Sequence, residues 1–545
     1  MAKDRFLAQG VTHTKRQRGA QSQKNQKNQR SQKSRMRSHG SDGSDSEGVG
    51  DVSDLEHQYE DASDAMSSAD EFLETPAEKR LRLAKDYIGR VQASTQLAAG
   101  AIDAEQIDRD LIAERLTSDA NERSGRWSRQ IARNFAYTID EPRVTRVLRY
   151  GHALPPTCVA LTPDARFVYS GGKDGALVKW DRVEGKKLHV FRALKKKRPD
   201  HNVGHCDEIL AVAVSSDGRF VASGGRDRRI HVWSVSEDRH LGVFHQHKDA
   251  VTGLAFRRHT NHLYSCSLDR MVKLWNIDEL GYMDTLFGHQ DGAVAIDALQ
   301  REQAVTVGCR DKTVRLWKIA DDAQLVFRAG AATDQHRITK ALASAPDMQP
   351  SEPNPRVASA LTAHETTLRT LAGADAEFTE DCVDCITMID EETFVSGGDS
   401  GALCLWSVQK KKPVFIHHLS HGIVPADTTG PYDAPPRPCW ISAVAAVPFT
   451  DLFFSASSDG CIRMWRVRAG KTPGFDLVNV IAVNGFVNAL SVRELVPEDP
   501  MSNIRDVVVA AAVGQEPRLG RWSKVSARNV IKLFTLRAVP PTSVQ

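Results

Sequence analysis

From about residue 140 onward the chain repeats one hydrophobic pattern. Leu177-Val-Lys-Trp180, Ile230-His-Val-Trp233, Val272-Lys-Leu-Trp275, Val314-Arg-Leu-Trp317, Leu403-Cys-Leu-Trp406 and Ile462-Arg-Met-Trp465 are short runs that close on tryptophan. A seventh run, Asn529-Val-Ile-Lys-Leu-Phe534, has phenylalanine in that place. Such runs, bounded by Gly, Asp and Ser, predict β-strands at regular intervals. The intervals are fixed by polar residues. An aspartate stands six before five of the tryptophans, at Asp174, Asp227, Asp269, Asp311 and Asp459. A histidine stands 22 before the first four aspartates, at His152, His205, His247 and His289. Serine lies four before the aspartate at Ser170, Ser223, Ser265 and Ser455. A unit of about 40 residues with strands at this spacing is a four-stranded propeller blade.

The polar set implies a buried chain in which loop histidine, turn aspartate, serine hydroxyl and indole N–H satisfy one another. A blade cannot bury both of its faces alone, so blades must stack around a ring. The pattern resembles the WD40 family. It implies an all-β, seven-bladed propeller over residues 137–537, closed by pairing a strand at Arg143–Leu148 with the last blade. Closure removes the exposed sheet edges.

Departures from the pattern mark the places where the chain does something else. Blade 4 has Val307 where serine is expected. Blade 5 has Ser400 at the aspartate position and Phe378 at the histidine position, so its polar chain is expected to be lost. Eleven extra residues precede His205 and include Lys195, Lys196, Lys197 and Arg198. A polar, Ala/Pro/Thr-rich insert over about 328–377 reads as a disordered loop in blade 5. A further insert carrying Pro425–Pro438 precedes blade 6. In blade 7, Val507–Val513 reads as a buried inner strand, and Gln515–Arg528 replaces a short turn.

The segment ahead of the repeats has a different character. Residues 1–40 hold eleven Lys/Arg against Asp4, and residues 41–74 hold twelve Asp/Glu with no Lys or Arg, although the net charge of the chain is only +3. Segregated blocks of this kind predict a disordered tail over 1–74, its basic half a nuclear import signal or a non-specific nucleic-acid tether. Thr75-Pro-Ala-Glu78 is a capping box, and two amphipathic helices, beginning at Thr75 and covering about 103–118, form an extension over 75–136. Nine cysteines without a paired framework point to a reducing compartment, and no apolar run approaches a membrane span or a secretory leader.

Catalysis has no foothold. The Asp–His–Ser sets resemble a hydrolase triad but recur once per blade, which makes them structural. The glycine pairs are strand turns, because no helix or Lys-Ser/Thr follows them. Cys382 and Cys385 lie on a predicted strand with no second pair, so no metal or cofactor is expected. Function is left to loops. The insert before His205 and the enlarged Gln515–Arg528 turn emerge on one face of adjacent blades. Together with Lys173 and Arg226 they suggest an RNA-binding arc of Lys173, Lys195, Lys196, Lys197, Arg198, Arg226, Arg518, Arg521, Trp522, Lys524 and Arg528. Cations interleaved with a tryptophan suit phosphates and a stacked base, and the same composition equally fits a solvated face with Trp522 packed against the propeller rim.

Three stretches outside the repeat go further. Glu74–Lys85, Asp108–Leu116 and Ala512-Val-Gly-Gln-Glu-Pro-Arg-Leu-Gly-Arg-Trp522 resemble the WD-repeat proteins specific to the U3 small nucleolar ribonucleoprotein, over about residues 71–537. Pro517 stands where that family has histidine. The resemblance implies a non-enzymatic nucleolar protein that binds the box B and box C stem of U3 small nucleolar RNA and serves early pre-ribosomal RNA cleavage for the small subunit. The partners implied are a kink-turn-binding protein, the fibrillarin and Nop-type core proteins and small-subunit processome proteins, with the chain a monomer within that large complex. The alternative reading is a peptide-binding scaffold or substrate receptor in a ubiquitin ligase or chromatin complex.

Overall fold

The computed structural model describes residues 129–135, 145–194, 204–328, 382–424, 437–468, 473–495, 505–521 and 524–538. The chain divides into two units, 1–85 and 86–545, and every described residue belongs to the second. The predicted tail and the two helices of the extension therefore lie outside the described residues.

Seven antiparallel four-stranded sheets form the blades. Blades 1 to 6 span 156–191, 209–244, 251–287, 293–328, 383–417 and 441–482. Each runs in chain order from the central channel to the rim. Burial follows that order. In blade 1 the innermost strand Pro156–Leu161 is buried at every position, whereas the outermost, Lys187–Phe191, is mostly exposed. Outer strands therefore carry lysine and histidine, and inner ones carry β-branched and small residues.

Blade 7 takes three strands from the C-terminal end, Phe486–Glu494, Val507–Gly514 and Val530–Leu536, and its fourth, Thr145–Leu148, from the N-terminal side. The closing register runs Thr145 opposite Phe534 to Leu148 opposite Ile531. Val507–Gly514 is wholly buried, as its apolar composition requires, but it is the second strand from the channel. The innermost is Phe486–Glu494.

Every innermost strand is bulged near its start, at the second residue in blades 1 to 6 and the third in blade 7: Thr157, Leu210, Thr252, Val294, Asp384, Ser442 and Asn488 are skipped in the register. A bulge leaves its residue unpaired in the ladder. The side chains freed there link blade to blade. Thr157 and Ser442 donate to the carbonyls of Ile209 and Val487, Thr252 to that of Ala293 at 2.6 Å, and Asn488 to that of Pro156 at 2.8 Å. Rings complete the joints, with Phe191 against Trp233 at 4.3 Å and Phe244 stacked on Trp275 at 4.3 Å.

Ahead of the closing strand, Arg129–Phe135 straps blades 6 and 7 at the end of the channel opposite the histidine loops. Asp451, in the first turn of blade 6, accepts from the backbone N–H groups of Ile131 and Ala132 at 2.8 and 3.0 Å. Ala132 and Phe135, in the 3-10 turn, sit fully buried among Phe454, Met464 and Val509.

Candidate nucleic-acid interface

The upper face is held by the polar chains that the spacing predicts. In blade 1 the Trp180 Nε1–H donates to Ser170 Oγ at 2.8 Å, Ser170 lies 2.8 Å from His152 Nε2, and His152 Nδ1 lies 3.1 Å from Asp174. A carboxylate can only accept, so the imidazole proton sits on Nδ1 and the serine hydroxyl donates to Nε2. Blades 2 and 3 repeat the chain through His205, Ser223, Asp227 and Trp233, and through His247, Ser265, Asp269 and Trp275. Each aspartate also caps the backbone N–H after its histidine, as at Cys206 and Lys248. The His loop and the Asp turn are thereby locked together. Burial raises these carboxyls, and the histidine and backbone bonds overcompensate: Asp311 is held at about 2.

Blades 4, 5 and 6 differ from expectation. In blade 4, Thr306 replaces the missing serine, lying 2.7 Å from His289 and accepting from Trp317 at 2.8 Å, while Val307 faces the core. Blade 6 has a complete chain: His421 lies 2.8 Å from both Asp459 and Ser455, and Ser455 accepts from Trp465. His421 is fifteen residues after Trp406, close to the fourteen seen between Trp233 and His247. The proline-bearing insert hides it by following the histidine rather than preceding it. Blade 5 keeps half a chain. Trp406 donates to Ser396 at 2.9 Å, and Asp399, next to Ser400, accepts from the Cys382 N–H at 2.7 Å. Phe378 lies outside the described residues. Cys385 is core, its thiol against the Gly397 and Ile441 carbonyls. His205, Asp227 and His231 bring donor atoms within 4.8 Å of one another. Both His205 nitrogens are engaged, so the cluster is a hydrogen-bond network and not a cation cage.

The enlarged blade 7 turn does reach across blade 1 to blade 2. Its base is stitched by Gln515, which bonds Asn529, Ala527 and Val525. Lys173 of blade 1 donates to the Gly520 carbonyl at 2.6 Å and lies 3.4 Å from Glu516, with its side chain only 1% exposed. Arg521 then meets Glu208 of blade 2 at 3.5 Å and Glu516 at 3.8 Å, and Glu208 also lies 3.7 Å from Arg226. Arg226 and Arg521 remain 63% exposed, and Lys524 and Arg528 are exposed as well.

Two of the residues expected in the arc are spent inside the protein. Lys173 is the anchor of the turn. Arg518 points into the channel and crosses it, donating to the Val294 carbonyl at 3.1 Å and reaching that of Thr252 at 3.5 Å. Both acceptors belong to bulged residues of blades 3 and 4. Composition alone places these cations on the surface; only the bulges reveal carbonyls able to draw one inward. Glu208 and Glu516, which organise the surface pair, have no sequence signature. Lys195–Arg198 and Trp522 lie outside the described residues.

Comparison with known proteins agrees with this architecture. The family model described as WD domain, G-beta repeat matches residues 143–181, 197–234, 238–276, 281–318 and 435–466. The human U3 small nucleolar RNA-interacting protein 2 is 41% identical over 470 residues, covering 86% of this chain and 83% of that protein. The Saccharomyces cerevisiae ribosomal RNA-processing protein 9 is 30% identical over 542 residues, covering 86% of this chain and 91% of that one. Among solved structures, one described as U3-55K superposes with a TM-score of 0.57 at 37% identity, covering 73% of this chain and 99% of its own.

Proposed function

Because the chain belongs to the family of WD-repeat proteins associated with the U3 small nucleolar ribonucleoprotein, we propose that it is a non-enzymatic RNA-binding subunit of that particle. It binds the stem of U3 RNA that carries boxes B and C, beside the kink-turn-binding protein and the other box C/D core proteins. It works in the nucleolus, among small-subunit processome proteins, in early cleavage of pre-ribosomal RNA. The observation that carries the reading is the blade 7 turn, which exposes Arg521, Lys524 and Arg528 and brings Arg521 beside Arg226 of blade 2 through their shared Glu208. In the sequence, Lys195–Arg198 stand shortly before His205, and Trp522 follows Arg521 directly.

These cations meet phosphates, and Trp522 stacks on an unpaired base. The test is a titration of the U3 stem, assembled with the kink-turn protein, at several salt concentrations. Each phosphate contact contributes a slope of order −0.7 to −0.9 in log affinity against log salt. Replacing Lys195, Lys196 and Lys197 by alanine flattens that slope. Trp522→Ala lowers affinity by about 1–3 kcal/mol with little change of slope, since no charge is lost. Glu208→Gln frees Arg226 and Arg521 from their shared acid and strengthens binding. An unchanged slope in the lysine variant, together with no gain in Glu208→Gln, places the RNA elsewhere.

A further inference from the structure

The lower half of the central channel is a chamber of about 520 Å³ bounded by the inner strands of all seven blades. Arg518 obstructs the channel above it, so the chamber opens on the face opposite the RNA arc. Most of its lining residues are apolar, yet the surface they expose into it is mainly polar. Its charged lining is four arginines, Arg129, Arg258, Arg493 and Arg505, against two acids, Asp297 and Glu494. Those acids are already committed. Glu494 takes Arg129 and Arg505 on one oxygen at 3.1 and 3.2 Å. Asp297 accepts from the Met388 and Ala298 N–H groups and from Thr387. The Glu391 carboxylate behind the wall accepts the N–H groups of Gln300 and Arg301.

Arg258 and Arg493 are left over. Among the described residues neither forms an ion pair; Arg258 rests over the Phe449 ring at 5.9 Å, and the buried Nε of Arg493 has no partner. Burial and then the neighbouring Arg493 charge push Arg258 down to about 10. The Asp297 carboxylate acts on both guanidiniums, and Glu494 and Glu391 act on Arg258. Four arginines against these three carboxylates still leave surplus positive charge, which an anion between Arg258 and Arg493 offsets. Paired guanidinium forks match the oxygens of a phosphate better than a single carboxylate, which one arginine would satisfy.

We propose that this chamber is an anion site for a phosphate dianion, free or borne on a small molecule, held by Arg258 and Arg493. The site is separate from the RNA arc and stands or falls independently of it. The probe is inorganic phosphate, added to the full chain and compared with sodium chloride at equal ionic strength in a thermal melt. The wild type gains melting temperature with the logarithm of phosphate concentration beyond a threshold, as a ligand of the folded state must produce. Arg493→Gln melts at or above the wild-type temperature without phosphate, because it removes one of two neighbouring positive charges, and it loses the phosphate-dependent rise. Arg493→Lys keeps the charge without the fork and retains only part of the rise. Phosphorus NMR of wild-type protein with phosphate supplies a second readout, a saturable line broadening absent with Arg493→Gln. If phosphate acts no differently from chloride, or raises wild type and Arg493→Gln alike through surface cations, the site does not exist. A small phosphate ester is separated from free phosphate by competition for the same broadening.

Discussion

Single hydroxyls and carboxyls decide whether each blade keeps its loops. Thr306 accepts from the Trp317 indole and pairs with His289, so Thr306→Val, equal in shape, leaves two buried groups unsatisfied at about 1–3 kcal/mol each. Chemical denaturation checks this; a change below about 0.5 kcal/mol would show that the blade 4 chain does not matter to stability. Asp399 behaves in the opposite sense to the network acids. Burial first, then the neighbouring Asp384, lift its carboxyl to about 6 against about 3.9 in the unfolded chain. A raised acid favours folding below the unfolded value and loses that contribution as pH climbs through the folded one. Stability therefore falls between about pH 4 and 6 on its account, and Asp399→Asn removes that slope in melts across the window. Asp311, held at about 2, gives the reverse: stability present above about pH 4 and lost on acidification through 2. At this scale the sequence was readable wherever spacing was strict. Thr306 escaped because it sits one residue off position, and His421 because the insert moved Asp459 away from it.

At the scale of elements, strands, blades and ring closure follow from the tryptophan-ended runs, because period and spacing encode them directly. The strap does not. Arg129–Phe135 has no repeat signal, yet Ala132 and Phe135 are completely buried against blades 6 and 7. Its position is set by one acid, Asp451, that collects two free N–H groups at a turn. Phe135→Ala is predicted to cost about 3–5 kcal/mol, the ordinary range for emptying a buried phenylalanine site. Hydrogen exchange localises the effect: amides of Cys461–Arg468 and Gly474–Ala482 lose protection, while those of blades 2 and 3 do not. The blade 7 turn was legible as an insert but not in its wiring. Sequence separates cation from acid, whereas the direction of Arg518 depends on carbonyls turned into the channel by bulges in other blades. Arg518→Met is predicted to speed amide exchange in residues 515–521, with the inner strands of blades 3 and 4 left intact. Unchanged exchange there would mean that Lys173 anchors the turn alone.

Over the whole molecule, the two ends of the channel are chemically distinct. The histidine-loop end is crossed by Arg518 and surfaced by cations that share Glu208 and Glu516; the other end is strapped by Arg129–Phe135 and holds unpaired arginines. Residues 1–40 carry a further eleven Lys and Arg, the sequence pattern of a non-specific nucleic-acid tether. Charges of that kind contribute counterion release to any nucleic acid and carry no sequence information. Deleting residues 1–40 is therefore predicted to weaken binding to the U3 stem and to an unrelated stem by the same factor, and to flatten both salt slopes equally. On the proposed assignment of discrimination to the blade 7 turn and its neighbours, the ratio of the two affinities stays at the full-length value. Titrations of both stems at matched salt measure that ratio. Loss of discrimination in a truncated chain that still melts as the full-length protein does would make residues 1–40 the reader and the propeller face a supporting surface.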